Sequence, residues 1–339
     1  MLNRCGFELA VHVLDVGKSK HLRIAVTGAT GFVGAHLVPH LISCGYSVVA
    51  LVRDKEPGPG RRVVDFRDTE SIVKALADID IVVHAAGLAH VRESGGETLA
   101  ALFREANSDL PGRVANAAVA ANVRRIVLVS SAGVLGAVSP PGGFSDESAA
   151  NPYNIYTESK LGGELAVYGA CATGTLEVIV IRPPMIYGPG APGSYQRLRQ
   201  WISRGWPVPV LSTAALRSYI GIRNFCDAVV AAIATEIVPT VPILVADCDA
   251  LSASDFAREI SLAMGKRFRS LRIPAGLLRT VLAALGRKAD GRRLEGAFVL
   301  KPHLAKQTLG WEPRFSCRED LWWSEQNHRD NVQRGLAVR

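Results

Sequence analysis

The sequence predicts a doubly wound α/β fold, a parallel sheet covered by helices on both faces, with a smaller lobe toward the C-terminus. Three observations predict it. Short β-branched runs alternate with helical stretches through the first half of the chain. Runs such as Ile81-Val82-Val83 are apolar without interruption, which fits strands buried on both faces. The first run also passes through a glycine-rich turn directly into the first helix.

Each element follows from its pattern. Residues 1–22 read as an appendage, and the first strand is expected at Arg23–Thr27. Further strands are expected at Ser47–Val52, Arg62–Phe66, Asp80–Ala85, Arg125–Ser130 and Glu177–Arg182. Helices are expected between them at Phe32–Cys44, Asp68–Leu76, Thr98–Ala121 and Tyr156–Ala172, the third kinked or delayed by Pro111-Gly112. Beyond Pro183 the pattern becomes irregular and rich in Pro and Gly. Later helices are expected near Phe225–Thr235, Ser254–Met264 and Gly276–Leu285, in a lobe over the carboxyl edge of the sheet, where such folds bind ligands.

Composition bounds the function. The 339 residues suffice for roughly two domains, and 48% hydrophobic with 21% charged residues exclude a disordered chain. Lys+Arg 39 against Asp+Glu 31 gives +8, which favours anionic ligands such as phosphates but is too modest to point to nucleic acid. Six cysteines form no CxxC pair and no Cys/His cluster, so neither a metal site nor a disulfide framework is indicated. Glu8, His12 and Asp15 interrupt every apolar run before Gly17, and no stretch of about 18 apolar residues occurs. The expectation is a cytoplasmic protein with reduced thiols and no membrane span.

The turn Thr27-Gly28-Ala29-Thr30-Gly31-Phe32-Val33-Gly34 is a GxxGxxG arrangement between strand and helix. Glycines allow a tight turn and close approach to a pyrophosphate, which would sit at the positive N-terminus of the helix. A purely structural turn is the alternative, and the strand–turn–helix context argues against it. At the end of the second strand, Arg53 stands where an acid would bind the ribose of NAD. A guanidinium suits a 2′-phosphate, so NADP(H) is favoured, while Asp54 leaves NAD(H) open. Asp65-Phe66, at the expected end of the third strand, could meet the adenine, or Asp65 could simply form a turn.

Tyr156 and Lys160 lie four residues apart, on one helical face. A free phenol titrates near 10, and a neighbouring ammonium should lower that value and make Tyr156 a usable general acid/base. Ser131 ends the fifth strand and could hold a substrate oxygen together with Tyr156.

In this order the motifs TGATGFVG (27–34), HAAG (84–87), SSAGVLG (130–136), YTESK (156–160), RPPMIYGPG (182–190) and LGWEP (309–313) resemble the extended short-chain dehydrogenase/reductases over about residues 23–320. The resemblance implies a Rossmann-type dinucleotide-binding domain over 23–183 and a mainly substrate-binding lobe over 184–339, with some segments returning to the sheet. It implies that Tyr156 is the acid/base, that Lys160 holds the nicotinamide ribose and that Ser131 orients substrate. Asn107 matches the helical asparagine of the active-site tetrad. Gly28, Gly31 and Gly34 match the cofactor glycines, with Phe32 and Val33 between them. His84, Ala85, Ala86 and Gly87 would line the adenosine side, and Pro183 would join the cofactor site.

Within the family the chain is most similar to nucleotide-sugar 4-epimerases and 4-keto-sugar reductases. The segment Arg217-Ser218-Tyr219-Ile220 matches one whose arginine binds the substrate diphosphate, and Arg293 or Arg292 could add a second phosphate contact. Dehydratases of the family carry an Asp-Glu pair where this chain has Gly133-Val134, so dehydration is not expected. Arg53 fits an exchangeable NADPH better than a tightly held NAD. The expectation is therefore reduction of the 4-keto group of a UDP-4-keto-6-deoxy-hexose in polysaccharide precursor synthesis. The alternative is a UDP-hexose 4-epimerase with bound NAD; a small-carbonyl reductase and a non-catalytic NADP sensor are the lesser ones.

Two further features stand apart. Residues 262–293 contain nine Lys or Arg and one acid, Asp290. They could form a solvated cationic face, attract the diphosphate, or make weak peripheral contact with anionic membrane, where the apolar Ala275–Leu285 could lie. Relatives often dimerise through two helices, here Thr98–Ala121 and Tyr156–Ala172, so a homodimer is expected.

Overall fold

The computed structural model describes residues 22–53, 58–89, 96–172, 174, 176–211, 215–273 and 296–333. Seven strands form one sheet: β1 (Arg23–Thr27), β2 (Ser47–Val52), β3 (Arg61–Val63), β4 (Ile81–His84), β5 (Arg125–Val129), β6 (Glu177–Arg182) and β7 (Ile243–Leu244). Their order is β7-β6-β5-β4-β1-β2-β3, and every neighbouring pair is parallel. The order reverses between β1 and β4, where Thr27 lies opposite His84. At such a switch point the connections leave in opposite directions and open a crevice at the carboxyl ends of the strands.

Alternation of side chains along the strands feeds two cores. Ile24, Val26, Ile81, Val83, Val127 and Val129 face one side, with α1 (Phe32–Ser43) and α7 (Ile222–Ala234) packed there. Ala25, Val82, Ile126 and Leu128 face the other, against α2 (Thr69–Leu76), α4 (Leu110–Ala120) and α5 (Ile155–Cys171). The uninterrupted apolar runs thus mean what the sequence suggested, a sheet buried on both faces.

The third strand is shorter than expected, ending at Val63. Asp65 instead builds the following turn: its carboxylate accepts from the Arg67 N–H at 2.9 Å and its carbonyl from the Asp68 N–H at 3.2 Å. Asp68 then caps α2 by accepting from the Glu70 and Ser71 N–H groups. The long helix expected over Thr98–Ala121 is divided into α3 (Gly96–Arg104), a wide π-type turn at Glu105–Asp109 and α4. Pro111 has no N–H with which to bond the Asn107 carbonyl four residues back, so the ladder widens just before the proline.

The remaining helices are α6 (Ser194–Ser203), α8 (Ala253–Ala263), α9 (Leu304–Leu309) and α10 (Cys317–Gln333). Tyr187, Tyr195, Tyr219, Phe256 and Leu321 form a separate apolar cluster around α6 and α8, with Tyr219 stacked on Phe256 at 4.1 Å. Val208–Leu211 pairs in parallel with Ser270–Ile273 at the edge of this cluster. The expected helix Gly276–Leu285, with Arg292 and Arg293, lies outside the described residues, as do Asp54 and all of the appendage except Leu22. Among the described residues no helix is long and apolar enough to cross a membrane.

Candidate active site

The glycine turn sits in the crevice at the switch point. Gly28 has φ +67°, and a Cβ there would lie 2.6 Å from the Ala86 backbone nitrogen; a Cβ on Gly34 would strike the Gly28 carbonyl. Only glycine lets the β1–α1 turn nest against Ala85-Ala86. Gly31 is the N-cap of α1 and supplies no side-chain cap, and no acid occupies the first turn. The N–H groups of Phe32 and Val33 therefore open a twelve-residue helix with no side chain competing for an anion. This uncapped cradle fits the pyrophosphate of a dinucleotide.

The β4 side of the crevice is held by Asn107, which is 1% exposed. Its Oδ1 accepts from the Leu88 N–H at 2.8 Å, and its Nδ2 donates to the Leu88 carbonyl at 2.9 Å and to Ser159 Oγ at 3.0 Å. The wide turn points this amide at both the loop after β4 and the helix carrying Tyr156. Its role here is to clasp Ala85–Leu88 to α5. Thr27 Oγ1 accepts from the Ala86 N–H and contacts His84 Nδ1 at 3.0 Å. His84 is fully buried; that burial, with the Lys160 charge, lowers its imidazole to about 3, so the ring is neutral.

Ser131, Tyr156 and Lys160 converge at the carboxyl end of β5. Ser131 caps a short 3-10 turn, its Oγ accepting from the Gly133 N–H at 3.1 Å, and it is hydrogen-bonded to the Tyr156 side chain. The capping box between Asn154 and Thr157 starts α5 just ahead of the tyrosine. Lys160 is buried and donates from Nζ to the Val129 carbonyl at 2.6 Å. Burial lowers its ammonium to about 8 against an opposing pull from Glu164.

One expectation is corrected. The phenol of Tyr156 is not depressed by Lys160: burial pushes it up, and the Ser131 bond only partly offsets this. Desolvation sets the direction, and the Lys160 ammonium is turned to the Val129 carbonyl instead of to the phenol. A raised phenol stays protonated at neutral pH, as a proton donor must.

The sequence reading missed the group behind these residues. Glu164, 1% exposed, receives the Arg182 guanidinium through Nε at 2.9 Å and Nη2 at 2.6 Å, and accepts from Ser130 Oγ. Glu164 lies four residues beyond Lys160 and eight beyond Tyr156, so helical spacing alone puts it on their face. The buried pair ties α5 to the ends of β5 and β6, the latter leading to Pro183, whose carbonyl accepts from the Ala132 N–H at 2.8 Å.

The other expected site residues are dispersed. Arg53 is exposed directly after β2. Asp65 is engaged in its own turn as described, and the Phe66 carbonyl accepts from Arg113 Nε at 3.0 Å. Arg217 donates to the Gly296 carbonyl at 3.0 Å and lies over the Phe298 ring. The arrangement as a whole is a dinucleotide cradle facing a serine–tyrosine–lysine group, the equipment for redox at a carbonyl or alcohol.

The comparisons with known proteins agree with that class. The NAD dependent epimerase/dehydratase family matches residues 24–242, and the chain belongs to it. It is 30% identical over 302 residues to a UDP-glucose 4-epimerase of Vibrio cholerae, covering 87% of this chain and 92% of that one. It is also 30% identical over 258 residues to a ceramide reductase of Caulobacter vibrioides, covering 74% and 73%. Among solved structures, MoeE5 in complex with UDP-glucose and NAD superposes with a TM-score of 0.73 at 26% identity, covering 91% of this chain and 99% of that one. A UDP-glucuronic acid 4-epimerase from Bacillus cereus in complex with NAD has the same fold, with a TM-score of 0.73 at 19% identity over 92% and 99% of the chains.

Proposed function

We propose that the protein reduces the C4 keto group of a UDP-4-keto-6-deoxy-hexose, using NADPH that exchanges at each turnover. The observation that carries this reading is the half-buried Ser131–Tyr156 pair, set on the same side of the sheet edge as the glycine cradle. A bound nicotinamide would supply the hydride for the carbonyl carbon. Tyr156, kept protonated by burial, donates its proton to the oxygen. Ser131 steadies the developing alkoxide, an effect typically worth about 10²–10³ in rate. Gly28, Gly31 and the start of α1 would hold the pyrophosphate, and Lys160 the nicotinamide ribose. Arg53, exposed at the end of β2, would meet the 2′-phosphate, which supports NADPH over NAD. The UDP-sugar is supported by the Vibrio relative and by the MoeE5 complex, and Arg217 would approach its diphosphate. The active unit would be a homodimer.

A second reading is favoured by that same relative: UDP-hexose 4-epimerisation with NAD retained. The two separate cleanly. Denatured protein should release no stoichiometric NAD, and intact protein should oxidise NADPH with a 4-keto-6-deoxy UDP-sugar. Tyr156→Phe should keep fold and cofactor binding and lose most turnover, by about 10²-fold or more. Stoichiometric NAD, with interconversion of UDP-hexoses and no net NADPH oxidation, would establish the epimerase instead.

A further inference from the structure

Far along the chain from the cofactor turn, the carboxyl ends of α6 and α8 carry a feature that the redox site does not use. Beyond these ends the chain turns at Gly205 and Gly265 into the paired strands Val208–Leu211 and Ser270–Ile273, and the Val208 N–H donates to the Arg269 carbonyl at 2.8 Å. The two turns are thus neighbours. On them Trp201 and Trp206 meet edge to face at 4.9 Å, yet remain 39% and 47% exposed. Leu262 and Leu271 are 44% and 58% exposed. Four large apolar side chains left in water around two neighbouring turns are a cost that calls for a partner.

The charge around them is of one sign. Residues 194–211 and 262–273 contain seven Lys or Arg and no Asp or Glu. Arg199 is taken by Glu325. Arg204 lies over the Trp206 ring at 5.1 Å, and Lys266, Arg267 and Arg269 are exposed. Among the described residues none of these four pairs with a carboxylate. The acids on α8 are engaged elsewhere, Asp255 by Ser252 and Glu259 by Arg318.

We infer that this end of the molecule is a docking surface for an anionic lipid bilayer. Exposed indoles with Arg204 over one of them, on turns whose charged residues are all basic and which lead to exposed leucines, match the chemistry of the membrane interface. Indole rings sit at headgroup level there, aliphatic tips reach the acyl boundary, and Lys and Arg meet lipid phosphates. A nucleic acid would satisfy the cations but offers nothing to Leu262 and Leu271. Trp201 already donates its N–H to the Pro207 carbonyl at 2.9 Å, so its exposed face is the apolar one.

The test uses the full chain and vesicles of phosphatidylcholine with or without about a third phosphatidylglycerol, read by flotation and tryptophan emission. Binding to the anionic vesicles at low salt, with a blue shift, is expected, and about 0.5 M salt should release it. W201A/W206A should remove most of the blue shift, and K266E/R267E should weaken binding by about tenfold or more. Both should keep wild-type turnover and melting temperature. Absence of vesicle binding at low salt would overturn the inference. So would equal binding by the charge-reversed variant, or tighter binding to double-stranded RNA that ignores the tryptophan substitutions.

Discussion

Glu164 is placed to act on the candidate group from outside it. Its carboxylate is the counter-charge that holds Lys160 up against burial, and it is bound bidentately by Arg182. Glu164→Gln removes that counter-charge, so Lys160 should fall below its value of about 8. If the ammonium form is needed to hold the ribose, the alkaline limb of kcat/KM should move to lower pH by a measurable step. The same change leaves Arg182 buried without an anion and should cost roughly 3–5 kcal/mol in denaturant unfolding. Glu164→Leu with Arg182→Met should recover most of that stability but not the pH limb, which separates positioning from packing. An unmoved limb in Glu164→Gln would make the pair purely structural. The candidate group was readable because Tyr156, Lys160 and Ser131 have chemistry that their spacing exposes. Asn107 was readable as a member of a pattern but not as a clasp, because its partner Leu88 uses only backbone groups.

At the scale of elements, β1, β2 and β6 begin and end where the alternation of the chain places them, because apolar runs of that length have one way to be buried. The division of the α3–α4 helix was less legible. Its wide turn answers to Pro111 and to a neighbour distant in sequence: a Cβ on Gly163 of α5 would strike the Asn107 carbonyl, to which Pro111 cannot donate. β7 has only two residues and no pattern of its own; its place is set by pairing with Ile181 and Arg182. Another long-range contact makes a prediction. His40, in the last turn of α1, bonds Asp227 of α7 at 3.0 Å. Burial pulls the imidazole down, but the hydrogen bonds to Asp227 and Cys44 raise it overall, to about 9. The unfolded value is near 6.5, so the folded chain binds the proton more tightly. The contribution is full below about pH 6.5 and is lost as pH rises through about 9. At a partly buried helix end it should be worth about 1–2 kcal/mol. His40→Gln should lower the melting temperature at pH 6 and leave it nearly unchanged at pH 10; equal losses at both would mean a packing defect.

For the whole molecule, the question is which surfaces remain for other chains. α4 and the wide turn before it pack closely on α5, Gly112 meeting Ala166 and Ser108 meeting Gly162, so the two helices act as one unit on the sheet. The most open apolar point of that unit is Leu165 on α5, 63% exposed, and Leu102 on the preceding α3 is 52% exposed. Along α5 the exposed positions Glu158, Leu165 and Gly169 recur at helical spacing, a stripe that a second helix pair could approach at Gly169. A second copy of this chain, related by a two-fold axis, would bury the stripe against itself and complete a four-helix bundle. The same helix carries the candidate site, since Lys160 and Glu164 are buried on its inner side. Sedimentation at micromolar concentration should give twice the chain mass. Leu165→Arg should shift it to the monomer, because an isologous contact meets each substitution with its own like charge across the axis. Turnover should then fall as α5 loses its outer support, with kcat affected more than KM. A wild-type chain that sediments as a monomer would assign the stripe to solvent and leave the catalytic helix held by its own lobe alone.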